Sequence, residues 1–389
     1  MRYPMFKVHI PVDETLQNLG EVLSSGFLNE GTQVREFETE LAKFLNADQL
    51  ILVNACTSAL TMAYKLSGVE PGTSVISTAM TCIATNTPIC NLGGRIIWAD
   101  IDRWSGNMDP HQIECVVDEN TKAIVSVSWA GSPPDLEAID NIAKKHGIYH
   151  IHDGAHAFGA KLNGKPISDY ADFTCFSFQA IKHLTTGDGG ALICRDTAKY
   201  ALAKKLKWFG YDRDEAKDEK GEWKGQRWSA DVLEGEVGFK FNMNNLSAAI
   251  GLSQLPHMAD IIMAHRRNAK TYLDMFEHSK LIAPARQVSG ATSSFWVFTM
   301  LLQGPNIDRD YLMEKLNQQG IGAGLVHVPN DMYSAFASSR SDLPGTAFFA
   351  KHQISLPCGW WLTESDCEDI ARSVLQLLES DEIRNAKAS

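Results

Sequence analysis

Within residues 146–190, HGIYHIHDGAHAFGAKLNGKPISDYADFTCFSFQAIKHLTTGDGG, Asp153 and Lys182 have the types and the placement to do chemistry together. Residues 148–151 read as a short apolar strand running to Asp153, and 172–178 as a second strand, after which Lys182 falls in a turn before a glycine pair. Carboxylate and amine therefore sit just past two strand ends. In a parallel α/β sheet that edge is where connecting loops diverge and ligands bind. Lys182 is set among Phe176, Ser177, Phe178, Ala180 and Ile181, where an unpaired ammonium is costly. Such desolvation lowers a lysine's pKa and frees its amine as a nucleophile. An amine for a Schiff base and an anion beside a pyridine nitrogen are what pyridoxal 5′-phosphate requires. Taken singly, Lys182 reads as a solvated surface charge and Asp153 as a helix N-cap; the pairing points to chemistry.

The elements that must hold this pair follow a rhythm. Residues 12–23 and 32–45 space apolar residues at helical period, and 49–53 is strand-like. Residues 54–58 read as a turn and 60–66 as a helix. A strand, turn and helix of this kind offers N–H groups and hydroxyls to a phosphate, so Thr57 and Ser58 are either that site or plain N-cap residues. Residues 74–77, 95–100, 122–129 and 191–194 read as further strands, with helical patterns between them and at 200–208. The alternation argues for a largely parallel sheet with helices on both faces. Residues 257–278 then read as a long helix leading out, 295–302 as a strand and 309–318 as a helix, with 345–355 and 365–378 returning through strand and helix. The expectation is an α/β protein with a large domain at 1–256 and a small C-terminal α/β domain at 257–389, the first residues able to pack on the small lobe.

A net charge of −11 over 389 residues excludes nonspecific nucleic-acid binding, which needs a basic face. No apolar run reaches transmembrane length and the first residues, MRYPMFKVHIPVDE, lack the apolar core of a signal peptide, so a cytoplasmic protein without membrane contact is expected. The eight cysteines are scattered without a CxxC pair and read as reduced thiols. His150 and His152 fall on one strand face and a turn separates His156, so no metal site is expected.

Two motifs, DGAHAFGA and FSFQAIKHLTTGDGG, together resemble the fold type I, PLP-dependent sugar aminotransferases of the DegT-like (DegT/DnrJ) group, and the resemblance runs over nearly the whole chain. It implies a large lobe with a mostly parallel seven-stranded sheet. It also implies that Lys182 carries the cofactor, Asp153 pairs with its pyridine nitrogen, His156 lies near its phenolic oxygen, and Ser177, with Thr57 and Ser58, contacts its phosphate. Gly31, Val34, Phe37 and Glu38 match the group's opening motif. Two positions depart from it: Cys56 stands where Gly is common, and Cys82 where an aromatic residue usually stacks on the pyridine ring. GFKFNMNNLSAAIGLSQL resembles the segment that crosses a dimer interface. Lys240, at a position where many relatives have Asn, would there meet the partner's cofactor phosphate or serve as a structural lysine. GIGAGLVHVPNDMY resembles the substrate-facing loop, without the usual tyrosine before its histidine, and His327 is the candidate sugar contact. Residues 211–236 are dense in charge and read as a solvated loop or as a lid in which Arg213 or Arg227 meets a substrate diphosphate.

The activity implied by the resemblance is transfer of an amino group from L-glutamate to a nucleotide-linked keto sugar, foremost a 4-keto-6-deoxy hexose, for amino-sugar and surface-polysaccharide synthesis. A homodimer with shared active sites would carry it out. A 3-keto sugar or a keto-cyclitol is also compatible. Relatives that dehydrate carry histidine at the lysine position, so Lys182 argues against that branch. A catalytically silent ligand-binding protein on the same fold is the alternative class.

Overall fold

A computed structural model describes residues 1–211, 237–304 and 307–380 of the chain; Arg213 and Arg227 lie outside the described residues. At its centre is a seven-stranded sheet in the order Leu50–Val53, Gly190–Cys194, Phe173–Ser177, Tyr149–Asp153, Thr121–Val127, Ser74–Ser77, Arg95–Trp98. Four of its neighbouring pairs are parallel, and the two at the Leu50–Val53 side are antiparallel. The mostly parallel sheet implied by the strand–helix rhythm is therefore present. The antiparallel return from Phe173–Ser177 to Gly190–Cys194 encloses the loop that carries Lys182.

Alternation along the strands covers both faces of the sheet. Ile51, Val53, Val75, Val125, Ile151 and Leu192 pack with the helix Cys56–Leu66, while Leu50, Leu52, Phe176, Ala191 and Ile193 pack with the helix Thr32–Leu45. Ile76 and Ile124 meet Ile139 and Ala143 of the helix Leu136–His146. A second, antiparallel sheet of Ile282–Pro284, Phe298–Leu302 and Gln353–Leu356 packs with the helices Met258–Phe276 and Glu364–Glu379 around Tyr272, Phe276, Phe298, Ile354 and Ile370. Tyr3 is buried in that second core. Among the described residues no helix is long and apolar enough to cross a membrane.

Three stretches differ from the sequence-based expectation, each for a physical reason. The helix read from residue 60 begins at Cys56, because Ala55 is extended and its carbonyl already accepts from Ser58 N and Ala59 N. The strand read from residue 295 begins at Phe298. Phe295 takes a left-handed φ of 47°, and Ser294 N and Trp296 N donate instead to Gly131 O and Ala130 O. Residues 345–355 hold a helix, Pro344–His352, before the strand rather than a strand alone. The carboxylate of Asp100 caps that helix, accepting from Gly345 N at 2.6 Å, Thr346 N at 2.8 Å and Thr346 Oγ1 at 2.7 Å. A cap supplied from the large sheet leaves no local sign in the sequence.

His150 and His152 do share a buried face, and their hydrogen bonds run in one direction. Tyr170 O accepts from His150 Nδ1 at 3.3 Å, which leaves His150 Nε2 to accept from Ser126 Oγ at 2.8 Å. Ser126 Oγ then accepts from His152 Nδ1 at 2.8 Å, and His152 Nε2 accepts from Ser128 Oγ at 2.9 Å. These directions hold for neutral rings, and burial keeps them so, pulling His150 down to about 4 and His152 well below its ordinary value. Because these folded-state values lie below the unfolded value of about 6.5, the unfolded chain binds more protons in acid. Stability from this chain of bonds is complete above about pH 6.5 and falls as pH drops toward 4, by about 3 kcal/mol for His150 alone. Thermal denaturation followed from about pH 7 to 4.5 should show a steadily falling Tm; a flat profile contradicts the assignment.

Candidate active site

Lys182 lies in a loop that the fold holds closed. Phe178 N donates to Gly189 O at 2.9 Å, Thr186 N to Phe178 O at 2.9 Å, and Thr185 N to the buried Gln254 Oε1 at 3.1 Å. Gly190 is required at the loop's exit, since a Cβ there would stand 2.6 Å from Cys56 N. The loop thus sits directly against the start of the helix Cys56–Leu66. Lys182 Nζ points into a cavity of about 440 Å³ whose lining includes Thr57, Cys82, Asp153, His156, Ser177 and His327. Its contact is aromatic: Nζ lies 3.5 Å from the ring centre of Trp296. Burial lowers the amine to about 8, against the opposing pull of Cys82 and Asp153.

Asp153 ends the strand Tyr149–Asp153 and is 4% exposed. Its Oδ2 accepts from Thr85 Oγ1 at 2.7 Å and its Oδ1 from Ala155 N at 3.0 Å. With the Thr85 proton committed to Asp153, the 2.9 Å contact between Thr81 and Thr85 is donated by Thr81, giving a directed chain into the carboxylate. Burial pushes the Asp153 carboxyl above its usual range, opposed by Thr85, Ala155 N–H and the Lys182 charge. A further cation brought to this carboxylate would favour its ionised form.

His156 stacks on Trp296 with ring centres 4.0 Å apart and lies nearly parallel to His327 at 5.2 Å. The two histidines approach through their Nε2 atoms at 3.4 Å. Burial, with the Lys182 charge beside it, pulls His156 well down and His327 to about 3, so both are neutral and one donates to the other. His156 Nδ1 is buried without a hydrogen-bond partner.

The remaining candidates divide. Thr57, Cys82 and Ser177 line the cavity; Ser58 is buried behind it, with its Oγ bonded to Asn54 Oδ1 at 2.6 Å. The helix Cys56–Leu66 opens toward the cavity with no side-chain cap. Lys240 is exposed and outside the cavity lining, its Nζ bonded to Asn242 Oδ1 and 3.9 Å from the Trp208 ring centre. Three site features escaped the sequence reading. Thr85 carried only the signal of an i, i+4 threonine pair with Thr81, and Trp296 was read as part of a strand. Asn330 joins the His327 loop to the Asp153 side, its Nδ2 donating to Thr81 O at 2.8 Å and its Oδ1 accepting from Asn86 Nδ2 at 2.9 Å. An amine of lowered pKa, an anchored carboxylate, an unpartnered imidazole nitrogen and an uncapped helix start fit pyridoxal 5′-phosphate.

Comparison with known proteins agrees with this geometry. The model of the DegT/DnrJ/EryC1/StrS aminotransferase family matches residues 10–375. The chain is 30% identical over 377 residues to the spore coat polysaccharide biosynthesis protein SpsC of Bacillus subtilis, covering 94% of this chain and 95% of that one. It is also 30% identical over 371 residues to a UDP-4-amino-4,6-dideoxy-N-acetyl-beta-L-altrosamine transaminase of Helicobacter pylori, covering 93% and 94%. The crystal structure of AtS13 from Actinomadura melliaura superposes with a TM-score of 0.87 at 34% identity, over 96% of this chain and 98% of that one.

The amine of Lys182 should react with a trace acylating reagent along a titration curve centred near pH 8, below the ordinary lysine value of about 10.4. Asp153→Asn removes a charge that favours the ammonium and should move the midpoint lower still. Mass spectrometry of the Lys182 peptide reads both; an ordinary midpoint, or an upward shift in the variant, contradicts the electrostatics.

Proposed function

The chain belongs to the DegT/DnrJ/EryC1/StrS aminotransferase family, and we propose that it moves an amino group from L-glutamate to a nucleotide-linked 4-keto-6-deoxy hexose. The observation that carries this reading is the near-neutral Lys182 amine sharing one cavity with the anchored Asp153 carboxylate. Bound there, pyridoxal 5′-phosphate supplies the carbonyl that accepts the amino group and the ring that draws off electron density. Lys182 Nζ takes the proton from the donor's α-carbon and returns it on the other side of the transfer. With the cofactor bound, Asp153, oriented by Thr85, would favour a protonated pyridine nitrogen, and neutral His156 would offer its Nδ1 to the phenolic oxygen. Thr57, Ser177 and the N–H groups opening the helix Cys56–Leu66 would hold the phosphate, with Ser58 fixing their turn through Asn54. Cys82 and His327 line the same cavity, where Cys82 would lie beside the ring and His327 would meet the sugar.

A homodimer is the working unit in this reading. Lys240 stands outside its own chain's cavity and is assigned to the phosphate of the partner's cofactor. Ile83 and Ile181, exposed beside Cys82 and Lys182, would be covered by the second copy. The large and small domains are taken as 1–256 and 257–389, in keeping with separate cores around the two sheets. A UDP carrier is favoured because the Helicobacter relative is named for a UDP-linked 4-amino-4,6-dideoxy sugar. Cysteines without disulfides agree with a reducing cytoplasm.

The protein reconstituted with pyridoxal 5′-phosphate should show a visible absorption band that bleaches on adding L-glutamate alone. Lys182→Ala should abolish the bleaching, and Asp153→Asn should slow it by about a hundredfold or more. A band indifferent to glutamate and to other amino donors, or normal turnover by either variant, overturns the reading.

A further inference from the structure

Residues 1–7 are built into the small lobe and lead into the cavity. Tyr3 N donates to Gly320 O and Gly322 N to Tyr3 O, each at 2.8 Å, in a parallel bridge that buries Tyr3. The indole N–H groups of Trp361 and Trp360 donate to Pro4 O and Lys7 O, each at 3.2 Å. Between these anchors Met5 and Phe6 line the cavity that holds Lys182. Phe6 stacks on Trp296 at 4.9 Å with 26° between the planes, and Trp296 is the ring against which Lys182 Nζ lies. Leu325 and Val326 continue the same apolar wall.

We infer that this strap is the acceptor-recognising wall of the site, Met5 and Phe6 receiving the C–H face of the sugar ring and its deoxy carbon. The inference rests on the sugar-aminotransferase reading above. Asp153, Ser177 and Thr57 supply polar groups to the cavity, whereas the strap supplies aromatic and aliphatic surface. An aromatic face against C–H groups contributes more than its area alone, and a hydroxyl pressed there loses water without gaining a partner. L-Glutamate, acidic and smaller, gains nothing from such a wall. The strap therefore acts in the acceptor half of the cycle and is silent in the donor half.

Gly322 offers a lever outside the cavity lining: a Cβ there would stand 2.5 Å from Met5 N, so Gly322→Ala displaces the strap through its backbone. Phe6→Ala and Gly322→Ala, loaded with pyridoxal 5′-phosphate, would be followed in two separate half-reactions. In the donor half, bleaching by L-glutamate should stay within about twofold of wild type. In the acceptor half, KM for a UDP-linked 4-keto-6-deoxy hexose should rise about tenfold in both variants, with loss of preference over the 6-hydroxy form. An unchanged acceptor KM in Phe6→Ala overturns the inference. So does an equal slowing of both halves, which would mean that Phe6 acts on Lys182 through Trp296. Wild-type protein that takes no amino group from any donor fails at the earlier step and removes the aminotransferase reading itself, before any variant is compared.

Discussion

A lysine amine stays near neutrality inside a protein only where burial is not answered by a salt bridge, and the elements around Lys182 meet that condition. The same chain shows both outcomes. Lys207 is buried between Glu30 at 2.7 Å and Glu38 at 3.2 Å, and those carboxylates drive its pKa upward; Lys182 rests on the Trp296 ring and falls to about 8. Lys207, buried between carboxylates, and Lys182, half-buried against a ring, therefore have opposite chemistry. The first is a structural ion triad, tying the start of the helix Thr32–Leu45 to the segment after Thr197–Leu206. The second is a poised nucleophile. Asp153, held by Thr85 and Ala155 N–H, opposes the fall at Lys182 only in part, through its charge.

The parts of the site that were legible in the sequence lie at strand ends of the large sheet. Asp153, His156, Ser177 and Lys182 fall within two consecutive strand–loop units, so local periodicity places them on one edge, and the motifs that carry them are contiguous. Single elements were legible for the same reason: the strand Ser74–Ser77 and the helices Thr32–Leu45 and Arg309–Gln318 fall where the apolar period puts them. Long-range geometry was not legible. The Asp100 cap on the helix Pro344–His352, the bond from Asn330 to Thr81 O and the approach of Phe6 to Trp296 join residues that no sequence window contains. Trp296 illustrates the cause. Its neighbours alternate like a strand, but Gly131 approaches so closely that a Cβ would stand 2.7 Å from Phe295 N, and Phe295 turns left-handed beside it.

These long-range contacts share one consequence. They bind the C-terminal third of the chain to the cavity edge of the large sheet at several points: Asp100 to Thr346, Asn86 to Asn330, Ala130 O to Trp296 N. The cavity is thus walled by Asp153 and Thr57 beside the large sheet and by Trp296, His327 and Val326 from the C-terminal third of the chain. A polar floor fixed by the large sheet faces an apolar wall that comes from beside the second sheet. The departure at Cys82 fits within this plan, since aromatic surface reaches Lys182 from Trp296.

The most direct test of the central claim is chemical trapping. Protein equilibrated with pyridoxal 5′-phosphate, reduced with borohydride and digested, should yield a phosphopyridoxyl group on the peptide containing Lys182 and on no other lysine at comparable yield. Label found mainly on Lys207, Lys240 or surface lysines, with Lys182 unmodified, would contradict the account, because the amine that the fold desolvates would then not be the one that meets the carbonyl.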